Sequence, residues 1–311
     1  MKKWISFALA LILAFGLAAP AFAGLDAAPV YETPYADSAF FSFGDYTLHY
    51  RVKQAEEAKG QIMMLHGFAE STFAWENLSE LLVGAGYTCV LVDLPDFGYS
   101  SRETRDTEKL PREELIHALM TALSPEPWYL AGHSMGGYVA LAVAETYPQS
   151  VRNLLLYGTS GNDGAPAFAK SIMSSAFLAE LMGPLMELAG RSRLLVKLLL
   201  LAAVQDRDYV KNYDLDKMMD PFRIKGTGAG AIYNFSMLEK TDYDLVARMH
   251  PILFMNGDRD KVISDSARVN LRASLPQGSV DHIVAGGGHM FIENRADEAA
   301  AVTLAFLEAN P

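Results

Sequence analysis

Ser134 lies between two glycines in Ala131-Gly132-His133-Ser134-Met135-Gly136, directly after the apolar run Trp128-Tyr129-Leu130. A helical pattern follows from Gly137 through Ala144. A strand that gives way to a helix across one serine must turn tightly. Gly132 and Gly136 must therefore lack side chains so that strand and helix can pass closely. The turn projects the Ser134 hydroxyl above the sheet and beside a helix N-terminus. Backbone N–H groups and the helix dipole favour negative charge there.

The five-residue pattern gains meaning from the segments downstream of it. A serine alcohol is a poor nucleophile and needs a base, and the base needs an orienting carboxylate. Ile252-Leu253-Phe254-Met255 reads as a buried strand and leads into Asn256-Gly257-Asp258-Arg259-Asp260. Val280 to Val284 reads as another strand and leads into Gly286-Gly287-Gly288-His289. Both loops lie past the C-terminal end of a predicted strand, where open α/β sheets place their ligands. Serine, acid and histidine thus arrive in the chain order that accompanies this kind of turn. Asp258 and Asp260 compete for the acid. His282, inside the last strand pattern, is the rival of His289 for the base. His66 precedes the serine and reads as a structural histidine bonded to nearby backbone. His133 points across the turn, and no motif surrounds His117 or His250.

A fourth part precedes the serine. Gln61 to Leu65 reads as a strand that ends in His66-Gly67-Phe68-Ala69-Glu70-Ser71-Thr72. The loop after the third strand and the residue after the nucleophile supply oxyanion donors in this arrangement. They nominate the backbone N–H groups of Phe68 and Met135. One such donor is worth roughly 3–4 kcal/mol of barrier.

The chain resembles the α/β-hydrolase superfamily, of the esterase- and lipase-like type with a helical cap. The resemblance rests on Leu65-His66-Gly67-Phe68, Asp93 to Ser100, Gly132 to Gly137, Gly257-Asp258-Arg259-Asp260 and Gly288-His289. It extends from about residue 40 to the C-terminus. It implies Ser134 as nucleophile, Asp260 as acid and His289 as base. One position departs from the family's Asp-x-Pro-Gly-x-Gly pattern: Asp96 replaces the first glycine. Aspartate tolerates unusual turn geometry better than most residues. A serine nucleophile also argues against the haloalkane dehalogenase and epoxide hydrolase branches, which use aspartate there.

The rest of the chain fits an α/β fold. Phe40 to Val52 reads as two strands turning at Gly44-Asp45. Strand and helix patterns then alternate up to Val151–Tyr157, which predicts a mostly parallel, eight-stranded sheet with helices on both faces. The alternation stops at Asn162. From there to about Phe222 the sequence is rich in Met, Leu and Ala at helical spacing. This predicts a cap over about residues 162–222, inserted between the sixth and seventh strands of a domain spanning 24–311. Met173, Met182, Met186, Met218 and Met219 read either as a greasy entrance or as packing of the cap. Gly226-Thr227-Gly228-Ala229-Gly230 lacks the lysine of a phosphate loop and reads as a hinge at the end of the cap.

Composition sets the outer limits. Half of the 311 residues are apolar, ample for a large core. Lys2 and Lys3, the apolar stretch Ile5 to Ala19 and Ala21-Phe22-Ala23 form a signal peptide over residues 1–23. The expected destination is secreted or periplasmic, with no stable membrane insertion after cleavage. The net charge of −11 becomes −13 without the leader, since two lysines and no acids leave. That acidity argues against nucleic acid or anionic lipid as partners. Cys89, the only cysteine, falls in a strand pattern and reads as a buried, inert thiol. No His-x-x-x-His or Cys-x-x-Cys spacing occurs, so neither a metal nor a cofactor is expected. The expected activity is hydrolysis of carboxylic esters with apolar acyl groups. Thioester or carbon–carbon bond hydrolysis, acyl transfer and perhydrolysis use the same machinery, and a non-catalytic binding protein is the reading from another class.

Overall fold

The computed structural model describes residues 32–103, 107–163, 176–237 and 240–311. The leader and Met173 lie outside the described residues. The strands are β1 (Ser38–Phe43), β2 (Tyr46–Lys53), β3 (Gly60–Leu65), β4 (Tyr87–Val92), β5 (Trp128–His133), β6 (Val151–Tyr157), β7 (Ile252–Gly257) and β8 (Val280–Val284). They form one eight-stranded sheet in the order β1-β2-β4-β3-β5-β6-β7-β8. The β1–β2 hairpin turns at Gly44-Asp45, and β2 joins β4 antiparallel. Every other pairing is parallel.

Alternation along each strand splits the core into two layers. Met63 and Leu65 of β3, Val90 and Val92 of β4, and Trp128 and Leu130 of β5 face one layer. Ile62 and Met64, Cys89 and Leu91, and Tyr129 and Ala131 face the other. The first layer is covered by α2 (Arg112–Leu123) and α3 (Met135–Thr146). The second is covered by α1 (Glu76–Gly84) and by α12 (Ala296–Ala309) near the C-terminus. Central strands buried on both faces read as near-continuous apolar runs for this reason. Each wholly buried Leu or Phe contributes about 1.5–3 kcal/mol.

Strands β4 and β5 flank β3 on opposite sides. The direction of winding therefore reverses at β3, which opens a crevice at the C-terminal ends of β3 and β5. Phe68 follows the first of these strands and Ser134 the second, so topology alone assigns both to the crevice.

Between β6 and β7 the described residues form helices and no strand. They are α4 (Ala176–Gly190), α5 (Arg193–Val204), α6 (Arg207–Asn212), α7 (Leu215–Met219), α8 (Thr227–Met237) and α9 (Tyr243–Val246). Val196, Leu200 and Val204 of α5 pack with Val210, Leu215, Met219 and Met290 in a separate apolar cluster. Met186 instead packs against the main core. Met186 and Met219 therefore serve packing in this fold. No helix among the described residues is long and apolar enough to cross a membrane.

The run Gly226 to Gly230 is not the hinge its composition suggested. Gly228 and Gly230 lie in the first turn of α8. A methyl group at Gly228 would run into the Gly183 carbonyl of α4, and one at Gly230 into the Asp96 carboxylate. Each helical glycine costs up to about 1 kcal/mol of propensity, and close packing offsets it. The same contact explains the aspartate at the family's glycine position. Asp96 has φ 73°. Its carboxylate accepts from Asn234 Nδ2 at 2.8 Å, from the Glu103 N–H at 2.6 Å and from Arg112 Nη2 at 3.3 Å. A left-handed non-glycine costs roughly 1–2 kcal/mol. Hydrogen bonds to a charged group return about 1.5–3 kcal/mol each, so the three together, one of them from α8, offset the strain.

Candidate active site

Ser134 has φ 50° and ψ −114°, a conformation that serine seldom adopts. Strain of this kind costs on the order of 1–3 kcal/mol and persists only where the surroundings enforce it. Here the Ser134 N–H donates to the Tyr157 carbonyl at 2.9 Å. The Ser134 carbonyl accepts from the Gly137 N–H at 3.0 Å and from the Thr159 hydroxyl at 2.8 Å. A methyl group at Gly132 would overlap the Gly136 carbonyl, and one at Gly136 the Leu65 carbonyl. The two glycines thus allow α3 to pass close over β5 and β3. The Ser134 side chain does not cap α3. Met135 is the first residue of that helix, where backbone N–H groups lack intrahelical partners.

Asp260 and His289 meet. His289 Nδ1 lies 2.9 Å from Asp260 Oδ2. The other carboxylate oxygen accepts the N–H groups of Val262 and Ile263 at 2.7 and 3.0 Å. Arg268 Nη2, from α10 (Asp265–Ala273), reaches Asp260 Oδ2 at 2.5 Å. Burial alone would raise the Asp260 pKa. The His289 imidazole and the Arg268 guanidinium outweigh burial and hold it below its ordinary value. The Asp260 carboxylate is therefore ionised through the neutral range and favours the imidazole tautomer with its proton on Nδ1. Nε2 is left as the basic nitrogen.

The rival residues are engaged elsewhere. Asp258 Oδ1 accepts the Gly286 N–H at 2.8 Å and shapes the loop before His289. His282 pairs with Glu298 at 2.9 Å on the outer part of β8. His66 is wholly buried; its Nε2 accepts the Leu94 N–H at 3.0 Å, and its Nδ1 donates to the Gly67 carbonyl at 2.7 Å. Burial pushes its pKa down, which suits a neutral structural ring. The Cys89 thiol is buried and pushed up to about 12, so it is inert.

His133, the residue before Ser134, borders His289. The ring of His133 lies 4.9 Å from that of His289, centroid to centroid. His133 Nε2 lies 3.0 Å from the His289 carbonyl oxygen. No hydrogen bond links the Ser134 hydroxyl to the imidazole among the described residues. Such bonds are often long before substrate binds. The base loop is also held from the cap side. The Ala203 carbonyl of α5 accepts the His289 N–H at 2.6 Å, and a methyl group at Gly288 would collide with it. Phe68 packs edge-on against Phe97, with centroids 5.6 Å apart, which fixes the loop after β3.

Sequence reasoning missed Arg268, Glu70 and Glu293. Glu70 lies in the quoted loop after β3 but carries no pattern that names its role; Arg268 and Glu293 lie in no motif, and only the fold brings them to the site. Glu293, in α11 (Phe291–Asn294), is nearly wholly buried. Its two oxygens face the hydroxyls of Tyr209 and Tyr213 at 3.2 and 3.1 Å. Burial, followed by the nearby Glu70 carboxylate, raises its pKa to about 8. As pH rises from about 4.5 to 8, the unfolded chain ionises at this position while the folded chain keeps its proton. Stability is lost over that window, on the order of 3 kcal/mol by pH 7. Glu293→Gln removes the penalty. Urea unfolding at pH 5 and at pH 7.5 should show the variant gaining on the wild type toward the higher pH. A difference that does not change with pH would contradict the assignment.

The alpha/beta hydrolase fold family matches this chain over residues 61–296, and the chain belongs to it. A 2-hydroxy-6-oxo-6-phenylhexa-2,4-dienoate hydrolase of Comamonas testosteroni is 35% identical over 129 residues, covering 40% of this chain and 44% of that protein. The similarity thus spans less than half of that relative's length. Among solved structures, a thermophilic esterase from Thermogutta terrifontis matches with a TM-score of 0.68 at 18% identity, over 89% of this chain and 100% of that one. A bacterial membrane phospholipase A matches with a TM-score of 0.67 at 22% identity, over 88% and 86%. At such identity these two likenesses concern the fold.

Proposed function

We propose that this chain is a serine hydrolase that cleaves carboxylic esters with apolar acyl groups. The observation that carries the reading is the His289–Asp260 contact at 2.9 Å, set beside a serine held at φ 50° between two glycines. Ser134 Oγ attacks the ester carbonyl carbon while His289 Nε2 takes its proton. The backbone N–H groups of Phe68 and Met135 receive the oxyanion. The tetrahedral adduct collapses, and the alcohol leaves with the proton held by His289. A water molecule then attacks the acyl–Ser134 ester by the same route and frees the acid. Asp260 stabilises the imidazolium at both stages without taking its proton.

The Comamonas relative supports a second reading, hydrolysis of a carbon–carbon bond in a 2-hydroxy-6-oxo-dienoate. Both substrates need the same oxyanion donors and the same water. Steady-state hydrolysis of p-nitrophenyl esters of rising chain length, beside a 2-hydroxy-6-oxo-dienoate, separates the two. The expected result is that kcat/KM for the best ester exceeds that for the dienoate. A dienoate cleaved faster than every ester would transfer the assignment to the second reading.

A further inference from the structure

The proposed reaction needs three loops at fixed spacing: those that carry Phe68, Ser134 and His289. One pair of buried side chains touches all three. His133 immediately precedes Ser134, and its ring is fully enclosed. Its Nδ1 lies 2.9 Å from Glu70 Oε2, and its Nε2 lies 3.0 Å from the His289 carbonyl oxygen. The same Glu70 oxygen accepts the Gly67 N–H at 2.7 Å, one residue before Phe68.

There is little slack around the pair. A methyl group at Gly67 would come within 2.9 Å of Glu70 Oε2 and 3.0 Å of His133 Nδ1. One at Gly158 would come within 3.0 Å of the His289 carbonyl oxygen and 3.2 Å of His133 Nε2. Both ring nitrogens face acceptors, and a neutral imidazole can donate from only one. The ring satisfies both as imidazolium, paired with an ionised Glu70. Burial opposes that charge, and the Glu70 carboxylate overrides it: His133 is raised and Glu70 lowered from their ordinary values. A buried ion pair adds little stability over an apolar replacement, because desolvation cancels most of the attraction. Fixed geometry is what such a pair can supply.

We propose that Glu70 and His133 are positioning residues, a buried ion pair that holds the oxyanion loop and the base loop in register across the nucleophile turn. The proposal rests on the serine-hydrolase reading above. The His133 side chain is wholly buried and that of Glu70 nearly so. Glu70 acts through the backbone of Gly67 and Phe68, and His133 through the backbone of His289. Loss of the pair lets the donor at Phe68 and the imidazole of His289 shift relative to Ser134. The chemical step then slows, while binding by the cap and the pocket walls is unchanged.

The test compares wild type, Glu70→Gln, His133→Gln and the double variant. The readouts are kcat and KM for a short p-nitrophenyl ester, the rate of fluorophosphonate labelling, and near-UV circular dichroism as a check on folding. Each single substitution should lower kcat about 10- to 100-fold, the scale of a misplacement near 1 Å, with KM within about twofold. The double variant should be no worse than the worse single one, because the two residues act as a unit. Losses that multiply in the double variant, or folded single variants with unchanged kcat, would overturn the proposal. Should a single variant fail to fold, Glu70→Asp keeps the charge and shortens the reach. A reduced kcat at unchanged KM supports the brace there, and an unchanged kcat overturns it. A wild type that does not label at Ser134 would instead overturn the serine-hydrolase reading, and this proposal with it.

Discussion

Ser134→Ala is expected to lower kcat for ester hydrolysis about a millionfold, the scale found when the nucleophile of subtilisin is removed. The substitution isolates chemistry from folding. Alanine and serine meet similar steric difficulty at φ 50°, so the strain is carried over unchanged. Among the described residues the Ser134 hydroxyl takes part in no hydrogen bond, so its loss orphans no buried partner. The bonds that enforce the turn come from its backbone: Tyr157 below, Gly137 and Thr159 above. A residual rate of about a thousandfold over water remains from the oxyanion donors and binding. Steady-state kinetics on purified variant and wild type checks this, with matched unfolding curves as control. Near wild-type turnover in the folded variant would remove Ser134 from the mechanism.

The second large effect falls on the acid. Asp260→Asn is expected to reduce kcat about ten-thousandfold, the size known for the equivalent change in a serine protease triad. The cause is the tautomer. Every group around the Asp260 carboxylate is a donor: His289 Nδ1 and Arg268 on one oxygen, the Val262 and Ile263 N–H groups on the other. An amide nitrogen at either place faces donors. Where it faces His289, the ring must accept through Nδ1 and carry its proton on Nε2, which can no longer take the serine proton. Where it faces the backbone, two buried N–H groups lose their acceptor, at about 1–3 kcal/mol each. Kinetics should therefore be read beside the unfolding midpoint. An unaltered kcat in folded Asp260→Asn would mean that the carboxylate does not set the tautomer. The ionised acid also contributes to stability. That contribution is complete above the ordinary carboxylate pKa and is lost as pH falls through its depressed folded value.

The strands that build the crevice are legible because their signal is local. Val151–Tyr157 ends in the apolar run Leu154 to Tyr157 and Val280–Val284 begins and ends on valine, and the structure forms both strands with those limits. Arg112–Leu123 and Arg193–Val204 likewise stand out by their helical spacing. Gly226–Gly230 misleads for an equally physical reason. Glycine signals either freedom or crowding, and composition cannot tell a hinge from a helix pressed against Gly183 and Asp96. Arg268, Glu70 and Glu293 carry no local signature. Their partners lie 8, 63 and 80–84 residues away for Asp260, His133 and the two tyrosines.

The sequence by itself determined which segments become strands and helices, and that serine, acid and histidine come one after another on loops at strand ends. Periodicity and turn chemistry depend on neighbours a few residues apart, so a single chain suffices to read them. The family resemblance already pointed to Asp260 over Asp258; only the tertiary structure decided that Arg268 shares its carboxylate and that His133 and Glu70 tie three loops together. Those outcomes depend on distances between residues far apart in the chain. Packing at the switch point of the sheet, and of the cap against the base loop, sets those distances.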